Sequence, residues 1–435
     1  MPLPWIGHNR GVDPAGRVKA DGSGNGPSLV SGRGPVALRY RDFRNLFTAS
    51  FVSLIGTQMQ QVALTWQLYE LTESPFALGL IGLFKAIPLI SLALLGGVAA
   101  DARDRRKMLL VTQTTLLVIS SALALSAAGG WTQPWMIYAA VAAAAGVTAF
   151  DNPARASLIP NLVPREHLAN ALSLNILAWQ AATVVGPAIA GNLIAWFGVT
   201  VVYSIDAVSF IAMLLALATI SAEVRVESDS RTGRGAIREG LRFVFSTPII
   251  RSTMLLDFFA TLFGCANTLM PVFATQVLGV GARGLGLLYA APPAGAAIAG
   301  AVMSVLPTVR RQGKVVLWSV VAYGFATVVF GLSSWLPLSL AALAFVGAAD
   351  SVSTVMRQTI RQLATPDSIR GRMTSVNMIF FMGGPQLGEM EAGTLAAIVG
   401  PALSVSFGGV GVLVAVALAA ALSPTLRAFQ VNKGE

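Results

Sequence analysis

Apolar runs of helical length, separated by short polar breaks, fill the chain from residue 46 almost to its end. They fall at 46–69, 76–100, 108–128, 134–153, 169–195, 200–221, 249–277, 284–306, 314–333, 337–356, 373–398 and 402–424. A helix rising 1.5 Å per residue needs roughly 20 residues to cross a bilayer, so each run is long enough to span. Composition agrees: 54% of residues are hydrophobic and 11% charged, with a mean hydropathy of +0.68. The expected fold is all-α and multi-pass, with twelve transmembrane helices. Residues 1–35 carry no apolar run and read as a disordered cytoplasmic tail rather than a signal peptide.

The basic residues test this count. Of the 30 Lys and Arg, all but two fall before the first run, after the last, in alternate breaks, or within the first three residues of the run that follows such a break (Arg251 and Lys314). Arg283 lies in an opposite-face loop and Lys85 inside the second run. A miscounted helix would scramble that segregation, so both termini are expected in the cytoplasm of a bacterial inner membrane. The net charge of +10 then reflects topology and contact with anionic lipid, not nucleic-acid binding. The longest break divides the runs six and six. This gives a tail (1–35), a first six-helix bundle (36–221), a cytoplasmic linker (222–248), a second bundle (249–426) and a tail (427–435). A single cysteine, Cys265, and two histidines argue against a disulfide framework, a metal cluster or another cofactor. No catalytic constellation is evident, and no GxxxxGK[ST] phosphate loop occurs. The chain reads as a non-enzyme without an ATPase domain of its own.

The two halves repeat. An offset of 202 residues pairs Arg155 with Arg357, Pro164 with Pro366, Asn175 with Asn377, Gly186 with Gly388 and Gly191 with Gly393. An offset of 207 pairs LGL 78–80 with LGL 285–287 and Lys107 with Lys314. Pseudo-symmetric six-helix bundles arranged as parallel repeats are an architecture of secondary transporters. Against this frame GEMEAG at 388–393 is anomalous, because its twin is the apolar GPAIAG at 186–191. Glu389 lies about 24 Å along its run from the basic face, still within a hydrocarbon core of roughly 30 Å. It must face a cavity, pair or take a proton. Glu391 is rotated about 200° from it on an ideal helix, so the two carboxylates have divided roles. Glu389 is the proton-coupling candidate, and Glu391 is expected against a neighbouring helix.

The stretch GGVAADARDRRKMLL at 96–110 resembles the second-to-third-helix loop of the major facilitator superfamily. Gly97, Asp101, Arg105 and Arg106 hold the matching positions; Ala102 and Asp104 depart from the pattern. FRNLFTASFVSLIG at 43–56, DNPARASLIPNLVPREHLANA at 151–171 and LGLLYAAPPAGAAIAG at 285–300 are similar to the bacterial enterobactin-exporter-like branch. The resemblance implies the major facilitator fold, alternating access and, through loop motifs of this kind, an inner gate. Asp101, Arg105 and Asp151 are the candidate gate residues, provided the second helix continues through Arg105 so that the first two share a side. GPAIAG resembles, more distantly, a motif of drug-exporting antiporters.

Polar residues inside the runs are candidates for a central cavity. They are Gln58, Gln61, Thr65 and Trp66 in the first run, Asn175 and Trp179 in the fifth, Tyr289 in the eighth, and Asn377 and Phe380 in the eleventh. Each amide is equally suited to bonding between helices. Asp257 and Lys85 join Glu389 and Glu391 as candidates for proton coupling. The leading expectation is proton-coupled efflux of a small amphipathic molecule, a siderophore or a drug, with protons and membrane lipids as the other partners. A metabolite importer of the same fold and a non-transporting sensor or scaffold are the alternatives.

Overall fold

The computed structural model describes residues 35–102, 104–220, 234–306, 309–366 and 369–430, with the side chains of 93–102 among those left undescribed. A short 3-10 turn at Val36–Arg39 leads into α1 (Arg41–Thr72), α2 (Pro75–Ala102), α3 (Arg105–Ala128), α4 (Pro134–Leu158), α5 (Leu168–Phe197) and α6 (Val199–Thr219). Then come α7 (Arg234–Ser246), α8 (Pro248–Gly264), the three-residue α9 (Met270–Val272), α10 (Gly281–Val305), α11 (Gln312–Leu332), α12 (Leu336–Leu363), α13 (Arg370–Val399), α14 (Pro401–Leu422) and α15 (Pro424–Ala428). Ten helical stretches among the described residues are long and apolar enough to cross a membrane. The 32-residue α1 and 30-residue α13 fall outside that set. They carry polar groups, Gln58, Gln60, Gln61 and Gln67 on one and Asn377, Gln386, Glu389 and Glu391 on the other.

Starts and stops follow local chemistry. Proline opens α2, α4, α8 and α14, where its missing N–H costs nothing and its fixed φ suits the first turn. The α5–α6 and α13–α14 corners turn on Gly198 and Gly400, with φ of 77° and 88°, a region closed to most side chains. These two glycines are twins at the offset of 202, so the repeat extends to the backbone of its turns.

In the first half α1 packs on α5 and α6, α2 on α4, and α3 on α4 and α6; in the second α8 packs on α13 and α14, α10 on α12, and α11 on α12 and α14. The halves meet chiefly where α2 crosses α13 and α5 crosses α10. The end of the bundle holding the α5–α6 and α13–α14 corners is here called the top, and the opposite end the base. Toward the top one apolar cluster runs through both halves, from Met59, Leu68 and Tyr203 to Phe273, Leu285 and Phe330. Toward the base the clusters part: Leu109, Leu158 and Met213 belong to the first half, and Val320, Ile360 and Val412 to the second.

Two expected segments gain detail, and one expectation needs correction. The seventh run, read as one span over 249–277, is one membrane-crossing stretch at Pro248–Val277 but not one continuous helix. Beyond α8 come a 3-10 turn (Asn267–Leu269), α9 and a π turn (Phe273–Val277). Tyr323 fills the space where a side chain at Gly264 would sit and donates its hydroxyl proton to the Gly264 carbonyl at 2.9 Å. Pro271 supplies no N–H beyond. The stretch 222–248, read as a linker, contains the helix α7. Finally, α4 and α12 run past their apolar segments, to Leu158 and Leu363. Arg155, Arg357 and Arg361, read as loop charges, therefore lie inside helices, with Arg357 and Arg361 1% and 3% exposed.

Candidate functional site

Small residues set how closely the halves approach. A Cβ on Gly393 would lie 2.6 Å from the Cα of Gly79, and one on Gly191 would lie 2.8 Å from the Cα of Gly286. Backbone therefore meets backbone at both crossings, a packing that only small residues allow. The two pairs are related by the repeat: 79 and 286 differ by 207, and 191 and 393 by 202. Both lie within two turns of the top.

Below these crossings lies a cavity of about 810 Å³ between the halves, within the range of small-molecule sites. Gln58, Gln61, Thr65, Trp179, Tyr289, Lys85 and Glu389 line it. Thr65 and Tyr289 touch across the halves, the Tyr289 hydroxyl lying 3.1 Å from Thr65 Oγ1. Glu389 reaches the cavity from α13 by passing over Gly82 of α2, where an added Cβ would lie 2.7 Å from Glu389 Cβ. Lys85 is one turn further along α2. An acid from one half and a base from the other thus face one cavity, each about 15 Å below the top of its helix by rise per residue. Glu391 does not line the cavity and is half-buried.

Four candidates lie elsewhere. Trp66 packs against the top cluster. Asn175 is half-buried on α5 outside the cavity wall. Asn377 is taken up as the acceptor of a bond from Arg361 Nη1. Phe380 stacks edge-on against Phe258, with centroids 6.0 Å apart. Sequence periodicity placed these residues in the right helices, but rotation about the helix axis decided which wall each one faces.

Among the described residues, Arg105 and Asp151 of the expected gate bond to other partners. The backbone breaks between α2 and α3 because Asp104 caps α3, accepting from the N–H groups of Arg106 (2.9 Å) and Lys107 (3.3 Å). Asp101 and Arg105 are therefore not on one continuous helix. Arg105 donates instead to the Ser157 carbonyl at 3.1 Å, while the side chain of Asp101 lies outside the described residues. Arg106 binds the Leu217 and Ala218 carbonyls at 2.9 Å each, favourable for a cation at the end of α6. Asp151 pairs with Arg155 at 3.0 Å and accepts from Thr112 and Gln113 at 2.7 Å each. Arg155 completes the set by donating to Ser50 at 2.9 Å.

The second half holds a counterpart that the sequence did not reveal. Arg357, the twin of Arg155, pairs with Asp257 at 2.8 Å and with Asp350 at 3.5 Å. Arg361 lies 3.6 Å from the other oxygen of Asp257. Asp257 is the twin of Ser50, and Ser353 the twin of Asp151. Acid and hydroxyl have exchanged helices around a fixed arginine. Asp257 is 4% exposed and is absent from the cavity wall. The signal was present in Arg155 and Arg357 at matching positions, but only the length of α4 and α12 shows that both turn inward.

A bundle of long apolar helices with a cavity of mixed polar and apolar lining between pseudo-symmetric halves is the fold of a major facilitator transporter, a class that moves small molecules without covalent chemistry. Solved structures agree on the fold. A bacterial homologue of the human lysosomal transporter Spinster, inward-facing and occupied, matches with a TM-score of 0.70 at 15% identity, over 89% of this chain and 98% of that one. The nucleoside transporter NupG matches with a TM-score of 0.70 at 13% identity, over 88% and 99%. The family model described as "Transmembrane secretion effector" matches residues 33–433, and the chain belongs to that family. Among curated relatives, the enterobactin exporter EntS of Citrobacter koseri is 28% identical over 400 residues, 89% of this chain and 93% of that protein. EntS of Escherichia coli O139:H28 is similar to the same extent. Among the described residues no group of three or more His, Cys, Asp or Glu side chains could hold a metal ion.

Proposed function

We propose that this protein is a proton-coupled exporter of small amphipathic molecules, siderophore-like or drug-like, working by alternating access. In this reading α1–α6 and α8–α14 form two bundles of six spans each, counting α8 with the broken stretch to Val277 as one span. α7 lies in the linker, and the base with both termini faces the cytoplasm. The conformation is then inward-facing, with the top closed by the two glycine crossings. The supporting observation is Lys85 and Glu389 facing one cavity from opposite halves. An ionised Glu389 draws α13 toward the Lys85 ammonium; protonation removes that attraction and lowers the electrostatic resistance to opening the top. A proton taken from outside in the open state and released inside would tie the cycle to the gradient. The similarity to enterobactin exporters supports the outward direction, and the aromatic and amide lining supports an amphipathic cargo. The Asp151–Arg155 and Asp257–Arg357 sets hold the base of each half rigid as it rocks.

The test is Glu389→Gln in proteoliposomes, with flux followed against an imposed proton gradient in both orientations. Gradient-driven flux and its pH dependence should fall together while substrate binding persists. Wild-type pH dependence in this variant, or uptake in place of efflux in the wild type, would refute the proposal.

A further inference from the structure

Resting on the reading of this cavity as the transport site, we propose that Asp350 is its recognition carboxylate and that the preferred substrates are lipophilic cations. Asp350 lines the cavity from α12, and 47% of its side chain is exposed. By rise per residue it lies about 21 Å below the top of its helix, roughly 6 Å deeper than Lys85 and Glu389. Its charged neighbours do not reach the ligand space. Arg357, at 3.5 Å, has a side chain 2% exposed and is held more closely by Asp257 at 2.8 Å. Arg361 is 3% exposed and bonds to Asp257 and Asn377. The cluster contains two cations and two anions, yet presents only one of them to the cavity. A cation there meets the free face of a carboxylate, with the nearest guanidinium shielded behind it. An anion meets the same carboxylate and no donor of comparable charge.

The repeat shows that this acid is an addition to the shared frame. The twin of Asp350 is Thr148, which also lines the cavity but returns its hydroxyl proton to the Ala144 carbonyl at 2.8 Å. The rest of the wall suits the body of such a ligand. Trp179 and Phe381, 54% and 51% exposed, present aromatic surface from the two halves, and an aromatic face attracts a desolvated cation. Lys85, at the upper end, has Glu389 facing the same space and so offers an anion no unopposed charge.

The test uses two isosteric probes of opposite charge, tetraphenylphosphonium and tetraphenylborate, whose displaceable binding is measured on the purified full-length protein. The net charge of +10 biases non-specific binding toward the borate, so a preference for the phosphonium must come from the site. The wild type should prefer the phosphonium. Asp350→Asn should weaken phosphonium binding about tenfold, the effect of roughly 1.4 kcal/mol, without weakening that of the borate. Asp350→Glu should restore the preference and separates recognition from any loss of folding. Equal binding of the two ions by the wild type, no displaceable binding of either, or an unchanged ratio in Asp350→Asn would overturn the proposal. The measurement needs no gradient. A protein that discriminates the ions but moves nothing would refute the transport reading and leave the binding site standing.

Discussion

Replacing Gly393 by alanine places a methyl group where α13 touches α2. Its carbon would lie 2.6 Å from Gly79 Cα, 2.7 Å from the Pro75 carbonyl oxygen and 2.8 Å from Gly79 N. All three are backbone atoms, so no side chain can swing aside. Ordinary contact begins near 3.4 Å, and 3.4 less 2.6 means a retreat of about 0.8 Å at the crossing. Overpacking of this kind costs roughly 1–3 kcal/mol. If the crossing parts when the top opens, the cost falls on the closed-top state alone. At 1.4 kcal/mol per tenfold, the equilibrium then shifts toward the open top by roughly 5- to 150-fold. Gly79→Ala should act in the same direction but less strongly, because its Cβ would lie 3.0 Å from Gly393 Cα and 3.1 Å from the Glu389 carbonyl oxygen. Gly300→Ala is the control, with nothing within 4 Å of the added carbon. Spin labels at Phe76 and Ile398, both exposed near the top, would report the separation by pulsed electron resonance in a Cys265→Ser background. The long-distance population should grow in the order Gly300→Ala, Gly79→Ala, Gly393→Ala. A folded Gly393→Ala protein with the wild-type distribution, or a control with an equal effect, would show that these crossings do not form the closed gate.

Two further outcomes follow from the ion pairs and the topology. Asp257→Asn leaves Arg357 and Arg361 buried with too little negative charge and should cost about 3–5 kcal/mol, read as a lowered melting temperature of the purified protein; a melting curve unchanged from wild type would show that Asp257 does not balance them. In the Cys265→Ser background, a membrane-impermeant maleimide should label cysteine at Gln133 in intact cells and at Glu166 only after permeabilisation, and the reverse pattern would invert the proposed orientation.

The sequence by itself determined the helical character of the chain, the alternation of basic breaks and the register of the two halves. These follow from the cost of exposing backbone and charge to hydrocarbon, which acts on local runs and needs no knowledge of neighbours. It also marked Glu389 as a charge requiring an explanation, because its twin position holds Pro187. What it could not decide was direction around each helix and continuity along it. Asn377 and Phe380 share α13 with Glu389, yet one is taken by Arg361, the other by Phe258, and only Glu389 reaches the cavity. Asp104 ends the continuity that would have placed Arg105 beside Asp101, and Tyr323, distant in sequence, occupies the space beside Gly264 where the helix of the seventh span breaks. The burial of Arg357 depended on an acid from α8 meeting α12, and the apposition of Lys85 and Glu389 on Gly82 letting α13 pass. Charges can sit inside a bilayer only when opposite charge, hydrogen bonds or water meet them there, and which residues meet is fixed when the helices pack.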